Sequence, residues 1–204
     1  MYLSEILSSF ICGKPDFDPQ VRYLAKRSIV DTMGAMLAGS CTDVDKHLLP
    51  VYNAPGCCTL VGLKGTVSAN NAAFLNGISG HELELDDTSS SNLDHPTVAV
   101  LPSVLPAGEE RAASGEEVLK AFILATEVEC KIGRITTVDG RVLTRERVYP
   151  DGHLTHPIPD QGIHDKYMKS ALPLLGQEKA EELYRRLMAL EEERDIRALL
   201  ALCH

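Results

Sequence analysis

Apolar residues recur every three or four positions along most of the chain, a spacing typical of helices that bury one face. The clearest case follows Asp18, a good N-cap residue, and Pro19, which suits the first position of a helix. The pattern continues until Gly39 and Ser40 interrupt it, so a helix is predicted between these limits. A shorter apolar run at 58–63 fits a buried extended segment, although its length leaves a helix open.

Three further helices are predicted in the middle of the chain. The segment from Ser68 to about residue 83 is rich in small residues, as in tightly packed helices. Residues from 98 to about 112 also fit a helix, although Pro102 and Pro106 interfere with regular hydrogen bonding. The capping box Ser114-Gly115-Glu116-Glu117 begins the third helix, which is predicted to reach about residue 133.

Beyond residue 162 the pattern is helical again. One face of this tail carries an apolar stripe, formed by Ala180, Leu183, Leu187 and Leu190. Two ion pairs with i,i+4 spacing are predicted on the opposite, solvated face: Glu181 with Arg185, and Glu182 with Arg186.

The character of the sequence changes at Ile135. Two short β-prone triplets flank Asp139-Gly140, a two-residue loop suited to a type I′ turn, and predict a β-hairpin near residues 136–148. We place the organisational boundary here. Residues 1–134 form an N-terminal helical segment, and residues 135–204 form a hairpin plus helices that we expect to pack back on it. The predicted fold class is mainly α.

Composition and charge narrow the possible functions. The 204 residues carry a net charge of −9 without clustered Lys or Arg, which argues against nucleic-acid binding. No apolar run reaches the roughly 18 residues that span a bilayer, and the first residues lack a signal-peptide pattern, so we expect no membrane partner and a cytoplasmic location. No phosphate-binding glycine loop is present, and no cofactor is predicted. Six cysteines without a CxxC pair predict reduced, mostly buried thiols.

The side chains that could take part in a reaction lie mostly between residues 76 and 96. The groups of interest are His81, Glu84, Asp86, Asp87, Thr88 and His95. A helix end that leads into an Asp-Asp-Thr loop closed by His-Pro places acceptors, a hydroxyl and an imidazole on one short connection, which could hold a general acid/base pair. Alternatively, the Asp and Thr residues cap helices and the histidines have no role, because loops rich in Asp, Ser and Asn usually form turns.

The order of motifs in this stretch resembles the signature of the MmgE/PrpD family, the group of 2-methylcitrate dehydratases and cis-aconitate decarboxylases. The motifs are Asn76-Gly77, His81, a further acid, Asp86-Asp87-Thr88 and His95-Pro96. Asp31-Thr32-Met33-Gly34 is similar to an early helix of that family, and the resemblance covers nearly all of residues 18–134. A second resemblance, in the C-terminal segment, includes Lys166-Tyr167.

The resemblance implies a helical domain, usually dimeric, whose Asp-Asp-Thr…His-Pro loop faces a cleft shared with a smaller α+β domain. It implies elimination of water or carbon dioxide from a small di- or tricarboxylate, or its epimerisation, without a redox cofactor. By position it implies the following site residues: His95 as acid/base, Thr88 as hydrogen-bonding group, Glu84 and Asp87 as assisting residues, and Asp86 and His81 in substrate binding. Glu84 stands where the family commonly has Asp, and the spacer before His95 is slightly long.

Charge limits this expectation. A tricarboxylate needs several Arg, Lys or His donors in a desolvated site, whereas the loop is mostly acidic. The resemblance implies that the remaining His, Lys and Tyr of the site lie in a central portion that this chain lacks after Arg134. We therefore predict a lyase site that is incomplete in one copy, and a homodimer that covers apolar helix faces. The alternatives are a non-enzymatic helical remnant that dimerises and a module that binds a carboxylate or a cation.

Two metal sites were also possible on residue type. One would use His153, His156 and His164 with Asp151 or Asp160, and the other Asp86, Asp87 and His95. Polar loop residues in water explain both sets, so no metal is predicted.

Overall fold

A computed structural model describes residues 3–13, 16–89, 94–132 and 158–204. The described part is mainly helical, which confirms the predicted fold class. Its α-helices are α1 (Leu3–Cys12), α2 (Pro19–Gly39), α3 (Val44–Leu48), α4 (Ala69–His81), α5 (Pro96–Arg111), α6 (Gly115–Ile132), α7 (Asp160–Leu175), α8 (Gln177–Met188) and α9 (Ile196–Leu200). Two short strands, β1 (Cys58–Thr59) and β2 (Thr66–Val67), pair antiparallel. No helix in these ranges is both long and apolar enough to cross a membrane.

Helix α2 forms the centre of the fold. Asp18 accepts a hydrogen bond from the Gln20 amide and Pro19 occupies the first turn, as the sequence predicts. From Ile29 to Leu37 almost every residue is buried, so the helix is covered on all sides rather than on one face. Helices α4, α5, α6, α7 and α8 all contact it.

Small residues bring α2 and α4 into close contact. A Cβ on Gly39 would lie 1.8 Å from the carbonyl oxygen of Ser79, so the two backbones meet directly at this point. A Cβ on Gly80 would lie 2.6 Å from Val98 of α5. The small-residue composition of α4 therefore serves backbone packing, as predicted.

Helix α5 forms despite its prolines. Pro96 occupies its first turn, and Pro102 and Pro106 lie inside it and are buried. The helix ends at Ala112, which adopts the left-handed conformation with φ 49°. Burial of the proline rings against α4 and the rest of the core offsets the missing amide hydrogens, so the helix is continuous where the sequence left its regularity open.

The apolar run at 58–63 is extended, and buried polar side chains hold it in place. The Asn76 amide accepts from Val61 N–H at 2.9 Å and donates to the Thr59 carbonyl at 3.0 Å. Glu109 accepts from both the amide and the hydroxyl of Thr59, at 2.8 and 2.6 Å. Burial raises the pKa of Glu109, while its bonds to Thr59 lower it. Helices α4 and α5 thus supply the partners that the short sheet lacks.

The capping box of α6 and the apolar stripe of α8 are both confirmed. Ser114 N–H donates to Glu117 at 2.8 Å, the Glu117 amide donates back to Ser114 Oγ at 3.3 Å, and the stripe from Ala180 to Leu190 is buried. The predicted i,i+4 ion pairs of α8 are wrong.

The charged residues of α8 form ion pairs and hydrogen bonds with other residues. Arg185 bonds Glu182, three residues earlier, and Arg186 bonds Glu193 beyond the end of the helix. Glu181 instead contacts Gln177 and His164. The chain turns sharply after Met188 and brings Glu193 close to Arg186, a partner that helical spacing cannot reveal.

Cysteine burial also differs from the prediction. Cys58 and Cys203 are buried, but Cys12, Cys41 and Cys57 are exposed, so most of the described thiols face solvent. Desolvation raises the pKa of both Cys58 and Cys203 to about 12, which leaves them as inert packing residues.

The predicted hairpin at 136–148 and the boundary at 134/135 lie outside the described residues. The tail that follows packs on α2. Tyr167 is fully buried there and donates a hydrogen bond to the Ala180 carbonyl at 3.2 Å, and Lys26 of α2 pairs with Glu191 at 2.7 Å. Contacts between residues far apart in the sequence therefore join the C-terminal tail to α2.

Substituting Gly39 tests the contact between α2 and α4. We expect Gly39→Ala to lower the free energy of unfolding by about 1–3 kcal/mol, because the added methyl overlaps the Ser79 backbone. Gly77→Ala on α4 is the matched control, since its Cβ would face α5 and lie 3.8 Å from Pro102, an ordinary contact distance. It should be neutral or stabilising by about 0.5–1 kcal/mol. Urea unfolding of both variants measures the difference, and equal stabilities would contradict the packing described.

Candidate functional site

The candidate site lies on the connection between α4 and α5. Helix α4 ends at His81, and the chain then turns through Glu84, which adopts a left-handed conformation with φ 51°. Further on, Ser89 N–H donates to the Asp94 carbonyl at 2.8 Å, which brings the chain back toward the start of α5. The loop therefore folds over so that its two ends, His81 and His95, come together.

Two imidazoles flank one buried carboxylate at this point. Asp86 has a fully buried side chain, and His81 Nδ1 lies 3.0 Å from its Oδ2 in a hydrogen bond. His95 Nδ1 lies 3.0 Å from the same oxygen. The two rings meet edge to face with centroids 4.8 Å apart, and their side chains are 52% and 36% exposed. We call His81, Asp86 and His95 the His-Asp-His cluster.

Asp87 has a structural partner. Its carboxylate accepts from the Thr97 amide at 3.2 Å and from the Thr97 hydroxyl, so it satisfies donors in the first turn of α5. Burial raises the pKa of Asp87, and the bonds from Thr97 oppose this shift. The capping role that the sequence left as an alternative is therefore present at Asp87.

A lysine from the C-terminal tail fixes the same loop. Lys166 Nζ on α7 lies 2.8 Å from the carboxylate of Asp31 on α2 and donates to the Leu85 carbonyl at 2.5 Å. Burial raises the pKa of Asp31, Lys166 opposes the shift, and nearby Asp86 adds to it. We call this contact the Lys166 bridge. The bridge joins α2 and α7 to Leu85, the residue immediately before Asp86.

The surroundings of the cluster are acidic. Glu129 of α6 is half-buried, and burial together with the charges of Asp94 and Asp87 raises its pKa. One carboxylate oxygen of Asp94 and one of Glu129 are buried without a hydrogen-bond partner among the described residues. The charge of Lys166 is already shared with Asp31. The local field is therefore negative.

The structure brings together some of the predicted site residues and not others. His81, Asp86 and His95 form the cluster, and Asp87, the next residue after Asp86, is bonded to Thr97 instead. Glu84 and Thr88 are exposed. The catalytic and binding roles implied for all six residues stay predictions.

Sequence reasoning underrated two contributors. The sequence presents Asp31 and Lys166 only as parts of two separate motifs, Asp31-Thr32-Met33-Gly34 and Lys166-Tyr167. The available signal was a lone acid in an apolar helix, between Val30 and Thr32, because a carboxylate in a position that is otherwise buried needs a cationic partner.

Comparison with known protein sequences identifies the family of this chain. The sequence model of the MmgE/PrpD N-terminal domain matches residues 5–145, and the chain belongs to the MmgE/PrpD family. Cis-aconitate decarboxylase of Homo sapiens is similar to it, with 31% identity over 116 residues. That match covers 53% of this chain and 24% of the human protein, so it spans about a quarter of the relative's length.

The Lys166 bridge can be tested through its pH dependence. Lys166→Met should destabilise the fold by about 1–3 kcal/mol near neutral pH, because it leaves the Asp31 carboxylate buried without its cation. Removing Lys166 should raise the pKa of Asp31 further above 3.8. When the pKa of an acid is higher in the folded state than in the unfolded state, the folded protein holds its proton up to a higher pH. Folding therefore becomes less favourable as the pH rises above 3.8, the ordinary value for Asp31.

The deficit of Lys166→Met should therefore shrink as the pH falls from neutral, because burial raises the pKa of Asp31 and its carboxylate takes up a proton. Urea unfolding of wild type and variant at neutral and acidic pH measures this change. Lys169→Met is the matched control, since Lys169 is exposed on the same helix. A deficit that does not depend on pH, or an equal loss in the control, would show that Lys166 does not neutralise Asp31.

Proposed function

We propose that this chain derives from lyases that act on small di- or tricarboxylates, and that it carries out dehydration or decarboxylation weakly by itself. Membership of the MmgE/PrpD family and the similarity to cis-aconitate decarboxylase support the reaction class. The observation that carries the proposal is the His-Asp-His cluster, because such an arrangement can hold an imidazole in position for proton transfer.

In this proposal His95 is the acid/base. Its Nδ1 faces buried Asp86, and its other ring nitrogen, Nε2, exchanges a proton with the carbon beside a substrate carboxylate or with the leaving group. Asp86 accepts a hydrogen bond from His81 Nδ1 and orients that ring, as a buried carboxylate does for an imidazole in other proton-transfer sites, and its carboxylate lies 3.0 Å from His95 Nδ1. His81 contributes to binding, and the Thr88 hydroxyl donates a hydrogen bond to substrate. Glu84 and Asp87 assist as neighbouring charges, although Asp87 already accepts from Thr97.

Electrostatics explains why the proposed activity is weak. A di- or tricarboxylate brings two or three negative charges to a surface that already holds Asp31, Asp86, Asp94 and Glu129. Within the described residues, Lys166 is the cation that contacts this loop, and it is paired with Asp31. Stabilising the substrate and a developing anion requires further donors, which a second copy or another subunit would supply.

Turnover assays test the function. We expect slow dehydration of 2-methylcitrate or slow decarboxylation of cis-aconitate by the purified chain, because the cluster can transfer a proton but the cationic donors are few. Loss of an acid/base group typically costs about 10²–10⁴-fold, so His95→Gln should reduce this rate to background. His47→Gln is the matched control, because His47 is exposed on α3 and is not a member of the cluster.

Three outcomes would count against the proposal. Robust turnover by the chain alone would show that the site is complete. Equal rates for wild type and His95→Gln would remove His95 from the reaction, and the absence of turnover with either substrate would favour a non-enzymatic remnant.

We also propose that the chain forms a homodimer. Large apolar side chains are exposed on several helices, including Ile6, Ile11, Val21 and Leu24. Light scattering at micromolar concentration should give twice the 22.2 kDa mass of one chain. A single-chain mass would contradict the proposal.

A further inference from the structure

The His-Asp-His cluster has the donor set of a transition-metal site. It offers two imidazole nitrogens and one carboxylate oxygen, and one ligand atom from each residue lies within 4.8 Å of the others. Both Nδ1 atoms already lie 3.0 Å from Asp86 Oδ2. Zinc and similar ions bind three such protein ligands at about 2.0–2.2 Å and leave a position open for water or another ligand. Small rotations of the two half-exposed rings would bring the donors to this spacing.

The contact between His95 and Asp86 points to a cation rather than to a simple hydrogen bond. His95 Nδ1 is buried and has no hydrogen-bond partner among the described residues, although Asp86 Oδ2 lies 3.0 Å away. The ring is therefore turned so that an N–H on this atom would miss the oxygen. The Nδ1 lone pair has the same direction as an Nδ1–H bond would have, so it also points beside Asp86 Oδ2. An ion bound to both atoms at about 2.0–2.2 Å would lie off the line that joins them, in the direction that such a lone pair takes.

The surrounding charge favours the same occupant. Asp94 and Glu129 each keep a buried carboxylate oxygen without a described partner, and Asp31 and Asp87 lie close enough to Asp86 to interact with it electrostatically. A negative field of this kind attracts a divalent cation and repels an anion. The same feature that weakens polycarboxylate binding therefore strengthens cation binding.

From these observations we propose that His81, Asp86 and His95 bind one divalent transition-metal ion of the zinc type. Imidazole ligands favour zinc, cobalt or nickel over magnesium and calcium, which prefer oxygen ligands. The site uses His81 in place of Asp87, which the sequence had grouped with Asp86 and His95, because Asp87 is engaged by Thr97. Binding would occupy Nδ1 of both rings and hold His95 Nε2 as a donor, so the ion would block proton transfer by His95. The inference does not require the chain to be a lyase.

Binding of Zn²⁺ and Co²⁺ to the untagged full chain tests the site. We expect isothermal titration with Zn²⁺ to give one ion per chain, and Co²⁺ to show the visible absorption of a nitrogen-ligated site. Changes to groups that merely support a ligand already cost about 10–100-fold in metal affinity, so His81→Ala and His95→Ala should each weaken binding by at least about tenfold. Circular dichroism checks that both variants keep their helices.

Matched controls separate this cluster from the other histidines. His47→Ala should bind Zn²⁺ like the wild type, since His47 is exposed on α3. The double variant His153→Ala/His156→Ala should also bind normally. Asp86→Asn supplies a second test if it remains folded, because it removes the charge and keeps the shape. The proposal is overturned if wild type binds neither ion, if the double variant abolishes binding, or if His81→Ala and His95→Ala bind as tightly as His47→Ala.

Discussion

The structure depends on the complete burial of the second half of α2. A helix covered on every side can serve as a common support for several neighbours, and α4, α5, α6, α7 and α8 all contact it. Asp31, the one acid of this helix, is buried and therefore needs a cationic partner. Lys166 of α7 is that partner. The shape of the core and the position of the loop that carries Asp86 thus share one cause, because the lysine that neutralises Asp31 also bonds this loop at Leu85.

Local signals in the sequence were sufficient to predict most of the helices. The Asp18-Pro19 start, the Ser114–Glu117 capping box and the stripe from Ala180 to Leu190 depend on neighbours a few residues away, and the structure confirms each of them. Helices α1 and α3 were not predicted, since the first is short and the second spans only five residues. The ion pairs of α8 were wrong because Arg186 bonds Glu193 across a turn.

The site was only partly predictable, because it too depends on contacts between residues that are not neighbours in the sequence. The motif singled out His81, Asp86 and His95, but their meeting depends on how the loop turns through Glu84 and returns at Ser89 and Asp94. Thr97, which holds Asp87, was not recognised. Lys166 and Asp31 are 135 residues apart, and no local pattern joins them. Even so, the excess of acid in the loop was visible in the sequence, and the structure retains it, because Asp94 and Glu129 each keep a buried carboxylate oxygen without a described partner.

The Lys166 bridge also has a consequence for how the protein is made. Residues 26 and 31 contact residues 191 and 166, so the N-terminal helices emerge from the ribosome long before their partners are synthesised. Until the tail arrives, Asp31 is without Lys166, and the part of α2 that α7 and α8 cover is exposed. The loop that carries Asp86 can therefore settle only after residue 166 has been synthesised, and before that moment the nascent chain exposes apolar surface to aggregation and to chaperones.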